Sequence, residues 1–112
     1  MAQIPADISS IIDIFLKELE KENISIERAI LFGSYAQGTN TPWSDIDLAL
    51  FSSDFEGDRF KDRNKIRRIK LQISSSLEPI PFPSHQYFNS DPLVEQIKKT
   101  GIAVFPKKQQ SV

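Results

Sequence analysis

The run Ala29-Ile30-Leu31-Phe32, halted by Gly33-Ser34, constrains what this chain can fold into more than any other feature. A short continuous apolar stretch bounded by turn formers suits a buried strand, and a buried strand needs other elements to cover it. The chain has 112 residues to supply that cover, which fits one domain and is too short for two lobes. At 39% hydrophobic and 26% charged residues it can build a real core and has the balance of an ordinary globular protein.

The covering elements announce themselves by periodicity. Ile8, Ile11, Ile12, Phe15, Leu16 and Leu19 recur at the spacing of one helical face, which predicts a core-packing helix ending near Asn23. A second helix is expected over 58–75, with Ile66, Ile69 and Ile73 on one stripe and Arg67, Arg68 and Lys70 largely off it. A last helix is marked by Ser90 or Asp91 as cap, Pro92 in its first turn and Gly101 at a left-handed exit.

Three further strands are expected. Over 45–51, Asp45, Asp47, Ala49 and Phe51 share one side, while Ile46, Leu48 and Leu50 share the other and face a core. Residues 78–82 are punctuated by proline, which suits a sheet edge, and Tyr87-Phe88 is expected to extend that edge. Ile102 to Phe105 makes a short terminal strand. Residues 1–106 therefore read as one domain, and 107–112 as a polar tail.

Composition removes whole classes of function. Fourteen Lys plus Arg against fifteen Asp plus Glu leave a formal net charge of -1, so no global positive field draws the chain onto nucleic acid. The absence of cysteine excludes disulfides, thiolate zinc sites and a catalytic thiol. Neither a membrane-length apolar stretch nor a charged-then-apolar leader is present, which makes the cytoplasm the expected compartment.

The chemistry concentrates where the first strand ends. At Phe32-Gly33-Ser34 a residue without a side chain and then a hydroxyl stand where the backbone turns toward a short helix over 34–37. Glycine lets an anion approach the main chain, and N–H groups at a helix start carry partial positive charge, so a phosphate could sit there. The next strand opens with Asp45-Ile46-Asp47, whose spacing aims both carboxylates at one side. Such a pair can bridge hard cations such as Mg²⁺, and two bound ions can drive an in-line phosphoryl or nucleotidyl transfer.

Gly33-Ser34-Tyr35-Ala36-Gln37-Gly38, a variable stretch, and then Ser44-Asp45-Ile46-Asp47-Leu48 resembles the signature of the DNA polymerase β-like nucleotidyltransferases, and among them the minimal nucleotidyltransferases. The resemblance implies an α+β fold: a small mixed β-sheet with helices packed mainly on one face, like a polymerase β palm. It also implies transfer of a nucleoside monophosphate from ATP or another triphosphate, with Gly33 and Ser34 holding the triphosphate and Asp45 and Asp47 binding two Mg²⁺. A third carboxylate comes from a later strand in that family, and Glu78 is the candidate here. The resemblance further implies a helical HEPN-type partner, for which the chain would be the antitoxin, and a protein or small-molecule acceptor. Family members often carry Arg after the Gly-Ser pair, whereas Tyr35 and Gln37 stand here, so phosphate charge must be neutralised by the metals or from elsewhere.

Other residues carry plainer expectations. Gly38 reads as structural, lone His85 as a surface residue, and Trp43 beside Pro42 as a loop anchor rather than a cover for a base, since an indole buries much apolar area. Arg67, Arg68 and Lys70, with Asp58 and Asp62 nearby, read as a solvated helix face rather than a phosphate-binding patch. The rival to an enzyme is a catalytically idle interaction subunit that neutralises a helical partner; a nucleic-acid module built on the basic cluster ranks third.

Overall fold

The computed structural model describes residues 4–89 and 91–106. Its first helix, α1 (Ala6–Lys21), buries Ile8, Ile12, Phe15 and Leu19 on the predicted face. Asn23 then takes a left-handed turn with φ 64°, a conformation asparagine tolerates better than most residues, and directs the chain into β1 (Arg28–Phe32). The short helix α2 (Ser34–Gln37) follows at once, and β2 (Ile46–Ser52) runs back antiparallel to β1.

From β2 the chain crosses over through α3 (Arg59–Ile73) to β3 (Leu77–Pro83), which pairs parallel to β2. A parallel neighbour cannot be reached by a tight hairpin, so a helix has to bridge the two strands. Asp58 starts that helix by accepting the N–H groups of Phe60 and Lys61 at 3.1 and 3.3 Å. After a 3-10 turn (Ser84–Phe88), α4 (Pro92–Thr100) leads into β4 (Ile102–Phe105), antiparallel to β1. The sheet is mixed and four-stranded, in the order β3-β2-β1-β4. The proline-rich β3 lies at an edge, as a strand lacking N–H donors must.

Both faces of the sheet are covered. On one, α1 and α3 pack Phe15, Leu19, Ile66 and Ile69 against Leu31, Ile46, Leu48, Leu50 and Leu77. On the other, Val94 and Ile97 of α4 meet Ile30, Ala49, Phe51 and Phe82. The two longer helices share one face, so this is the α+β arrangement of a palm-like domain, with a smaller helix on the reverse. Among the described residues no helix is long and apolar enough to cross a membrane.

Several expectations need correction. Tyr87 and Phe88 do not extend the β3 edge. The chain leaves the sheet after Pro83 and folds back, because Phe51 stacks on Phe82 at 5.1 Å and the edge of Tyr87 packs on Phe51 at 5.4 Å. Asp91 caps α4, accepting from Leu93 and Val94 at 2.8 and 3.2 Å; Ser90 and the 107–112 tail lie outside the described residues.

Gly101 is not left-handed either: its φ is -91° and its ψ 173°. It is required by contact. A Cβ there would lie 2.5 Å from Ile30 Cγ2, 2.6 Å from the Ile97 carbonyl oxygen and 2.8 Å from that of Leu31. Two of these neighbours are backbone and cannot swing aside. Gly101→Ala is therefore expected to cost about 2 kcal/mol or more, as overpacking does, measured as a lowered urea midpoint. An unchanged midpoint would contradict the close packing of α4 against β1.

Candidate active site

The site begins with the register of β1 against β2, which sets Phe32 opposite Asp47. Gly33 follows with φ 74°, a left-handed value that L side chains rarely adopt. A Cβ on Gly33 would also collide with the Asp47 carboxylate. The glycine thus does two things at once: it turns the chain into α2, and it leaves the space that the carboxylate fills. The Gly33 carbonyl accepts the N–H groups of Ala36 and Gln37, both at 3.1 Å, while no side chain caps the turn. The N–H groups of Ser34 and Tyr35, at the very start of the helix, have no intrahelical acceptor.

Tyr35 and Ala36 are buried, and Tyr35 joins the larger core. An aromatic thus fastens the turn to the domain. Gln37 is exposed, and Gly38 closes α2 with φ 75°.

Asp47 lies on the same side of β2 as Ala49 and Phe51, at the end of that face and half-buried. Asp45 is exposed and stands just before the strand rather than in it. Its place is set by flanking bonds: the Ser44 hydroxyl accepts the Thr41 N–H at 2.8 Å, and the Ile46 N–H reaches the Ser76 carbonyl at 2.8 Å. In the parallel register, Glu78 falls directly beside Asp47 on the neighbouring strand. The structure therefore sets Gly33, Asp47 and Glu78 side by side across three strand ends, with Asp45 at their margin.

Three acids so placed repel one another. Burial is the main reason the Asp47 carboxyl is held above its ordinary value, and the charges of Asp45 and then Glu78 push it the same way. Hard and oxygen-rich, this donor set could hold a divalent cation such as Mg²⁺. Among the described residues no three such groups converge into a finished cage. Glu78 leans instead toward Lys70, whose Nζ lies 3.7 Å from its Oε1 and donates to the Leu77 carbonyl at 2.9 Å.

The remaining sequence candidates lie elsewhere or act differently. His85 is exposed in the 3-10 turn. Trp43 does not anchor its loop: it is 86% exposed at the tip of the Thr41–Ser44 turn, which is held by polar bonds instead. The basic cluster of α3 splits. Arg68 is exposed and pairs with Glu22 at 3.1 Å, whereas Arg67 and Lys70, joined by Arg63, line a cavity beside Glu78. Sequence reasoning missed Arg63 and the reach of Lys70. Their 63, 67, 70 spacing at helical period was visible, but the strand they would face was not.

Comparison with known proteins agrees with this architecture. The family model for polymerase β nucleotidyltransferases matches residues 15–110, so the chain belongs to that family. A candidate nucleotidyltransferase from Sulfolobus solfataricus has the same fold, with TM-score 0.66 and 17% identity over 87% of this chain and 78% of that one. A toxin-antitoxin structure with AMP-PNP follows at TM-score 0.61 and 22% identity, covering 89% of this chain and 74% of that one. A mutant of the toxin-antitoxin MntA-HpeT gives TM-score 0.58 and 20% identity, covering 90% and 74%. No curated protein sequence matches the chain.

The raised pKa of Asp47 fixes the sign of a pH effect. Its ionised form is the less favourable one in the folded state, so this carboxyl contributes most to stability below its ordinary value near 3.8, and the contribution is lost as pH rises through the folded value. Asp47→Asn should accordingly raise the melting temperature at neutral pH by a few degrees. The gain should vanish when both proteins are melted below the ordinary Asp range. A variant less stable than wild type at pH 7 would show that the ionised Asp47 carboxylate is not disfavoured in the folded state.

Proposed function

We propose that this chain transfers AMP from ATP to a hydroxyl of a protein or small-molecule acceptor, using Asp45, Asp47 and Glu78 to hold two Mg²⁺ and Gly33 with Ser34 to position the triphosphate. The acceptor oxygen attacks the α-phosphorus, its proton is released, and pyrophosphate departs in line. Bound Mg²⁺ would supply charge neutralisation for the phosphates and a lowered pKa for the acceptor hydroxyl.

The observation that carries this reading is the contact of the Gly33 turn with the Asp47 carboxylate, with Glu78 in register alongside. A phosphate received by the Ser34 and Tyr35 N–H groups would lie against the acids that need a cation. Family membership supports nucleotidyl transfer, and the AMP-PNP in one structural neighbour supports an adenine nucleotide. Two toxin-antitoxin neighbours support a role as antitoxin; the sequence resemblance implies that the toxin is a helical HEPN-type protein, which would also be the natural protein acceptor.

A second reading, an idle subunit that neutralises its partner by binding alone, is favoured by one feature. Lys70 already engages Glu78, so the third carboxylate is partly neutralised without metal. Calorimetric titration separates the two readings. Wild type should bind ATP only when Mg²⁺ is present, and the Asp45→Asn, Asp47→Asn double variant should lose that binding by at least about tenfold. No metal-dependent ATP binding at all in wild type would leave the idle-subunit reading. Incubation with radiolabelled ATP and the product of the neighbouring gene then tests transfer directly.

A further inference from the structure

Arg63, Arg67 and Lys70 follow one another at helical spacing along the side of α3 that overlooks the outer edge of β3. With Ile66, Glu78 and Pro79 they line a cavity of about 180 Å³. Three cations and one carboxylate leave this cleft with surplus positive charge.

Among the described residues no further acid offsets that surplus. Elsewhere on α3, Lys65 pairs with Glu56 at 3.2 Å and Arg68 with Glu22 at 3.1 Å. Arg63 and Arg67 are exposed and form no ion pair among the described residues. The nearby aspartates are committed to backbone. Asp58 caps the helix, and buried Asp62 accepts the N–H groups of Glu56 and Gly57, each at 2.9 Å.

The position of the cleft tells what it faces. Across the sheet run, in order, the Gly33 turn at the end of β1, Asp47 on β2, Glu78 on β3 and then the cleft. If the triphosphate enters at the glycine turn, the cleft lies on the far flank of the carboxylates, around the β3 edge on the side of the sheet that α3 covers, where a segment reaching past Glu78 can dock. We propose that it anchors the acceptor by a carboxylate: an acidic side chain close to the hydroxyl to be modified docks between Arg63 and Arg67. This rests on the nucleotidyl-transfer reading and narrows its acceptor to an acidic peptide segment.

Size and charge favour that occupant. Cavities for drug-sized ligands run to about 300–1,000 Å³, so this one takes a side chain rather than a nucleotide. Two guanidinium forks match a carboxylate in bidentate geometry. A net charge of -1 gives the chain no long-range pull on a phosphodiester backbone.

The test uses the full chain and a fluorescein-labelled peptide of alternating glutamate and tyrosine, followed by anisotropy in low-salt buffer. The acidic peptide should bind, and more weakly as salt is added. Arg63→Ala, Arg67→Ala should weaken it at least about fivefold, while Arg68→Ala, on the same helix but outside the cleft, should change it by less than about twofold. Equal loss in both variants, no loss in either, or tighter binding of a single-stranded oligonucleotide would overturn the proposal. Titration of Mg²⁺ and ATP on the same proteins keeps the two readings apart. Loss of nucleotide binding in the double variant would move the arginines to the donor side and refute the acceptor assignment. Peptide binding that depends on both arginines, in a wild-type chain that never binds ATP, would uphold the cleft and sink the transfer reading.

Discussion

The contact between the Gly33 backbone and the Asp47 carboxylate is the constraint on which the rest of the structure turns. It requires that β1 and β2 pair with Phe32 opposite Asp47, because a slip of one residue would send the carboxylate to the face that holds Leu48 and Leu50. It requires glycine at 33 both for φ and for space. It also sets the Gly33 turn beside the Asp47 carboxylate with no room for a side chain between them. The large core beneath, from Phe15 to Leu77, serves to hold this register.

Much of that was readable from residues alone. Gly33-Ser34 followed by helix formers predicted the turn, and α2 spans the expected 34–37. The split of β2 into two faces followed from its alternation, although the strand proved buried on both sides, since Ala49 and Phe51 found a second core under α4. What stayed hidden depends on long-range geometry. The direction of β3 cannot be read from its prolines, and only the parallel direction brings Glu78 into register with Asp47. Gly101 does close α4, but it looked left-handed because glycine serves left-handed turns and close approaches alike, and sequence does not separate them. Trp43 was misjudged for a related reason: a large apolar area is a reason to be buried only where the fold brings something to bury it against.

The acids at the strand ends illustrate how a fold sustains an unfavourable local arrangement. Three carboxylates are brought near one another and one is pulled partly out of water, which raises the Asp47 pKa. Against this stand a well-filled core on each face and satisfied polar groups elsewhere in the domain, including Ser52 at the far end of β2, whose buried hydroxyl donates to the Ser25 carbonyl at 2.6 Å. Among the described residues no buried side-chain polar atom lacks a partner. The unfavourable contribution sits on the Asp47 carboxyl, through burial first and the charges of its acidic neighbours second.

Lys70 makes the arrangement asymmetric. Asp47 is crowded by backbone on the β1 side and by Glu78 on the other, whereas Glu78 has a cation to lean on at the sheet edge. A divalent ion drawn to Asp45 and Asp47 would have to compete with Lys70 for Glu78, and the ammonium would then be released toward the cleft it shares with Arg63 and Arg67. On the proposed reading, occupation of the metal site and the positive charge offered to an incoming carboxylate rise together.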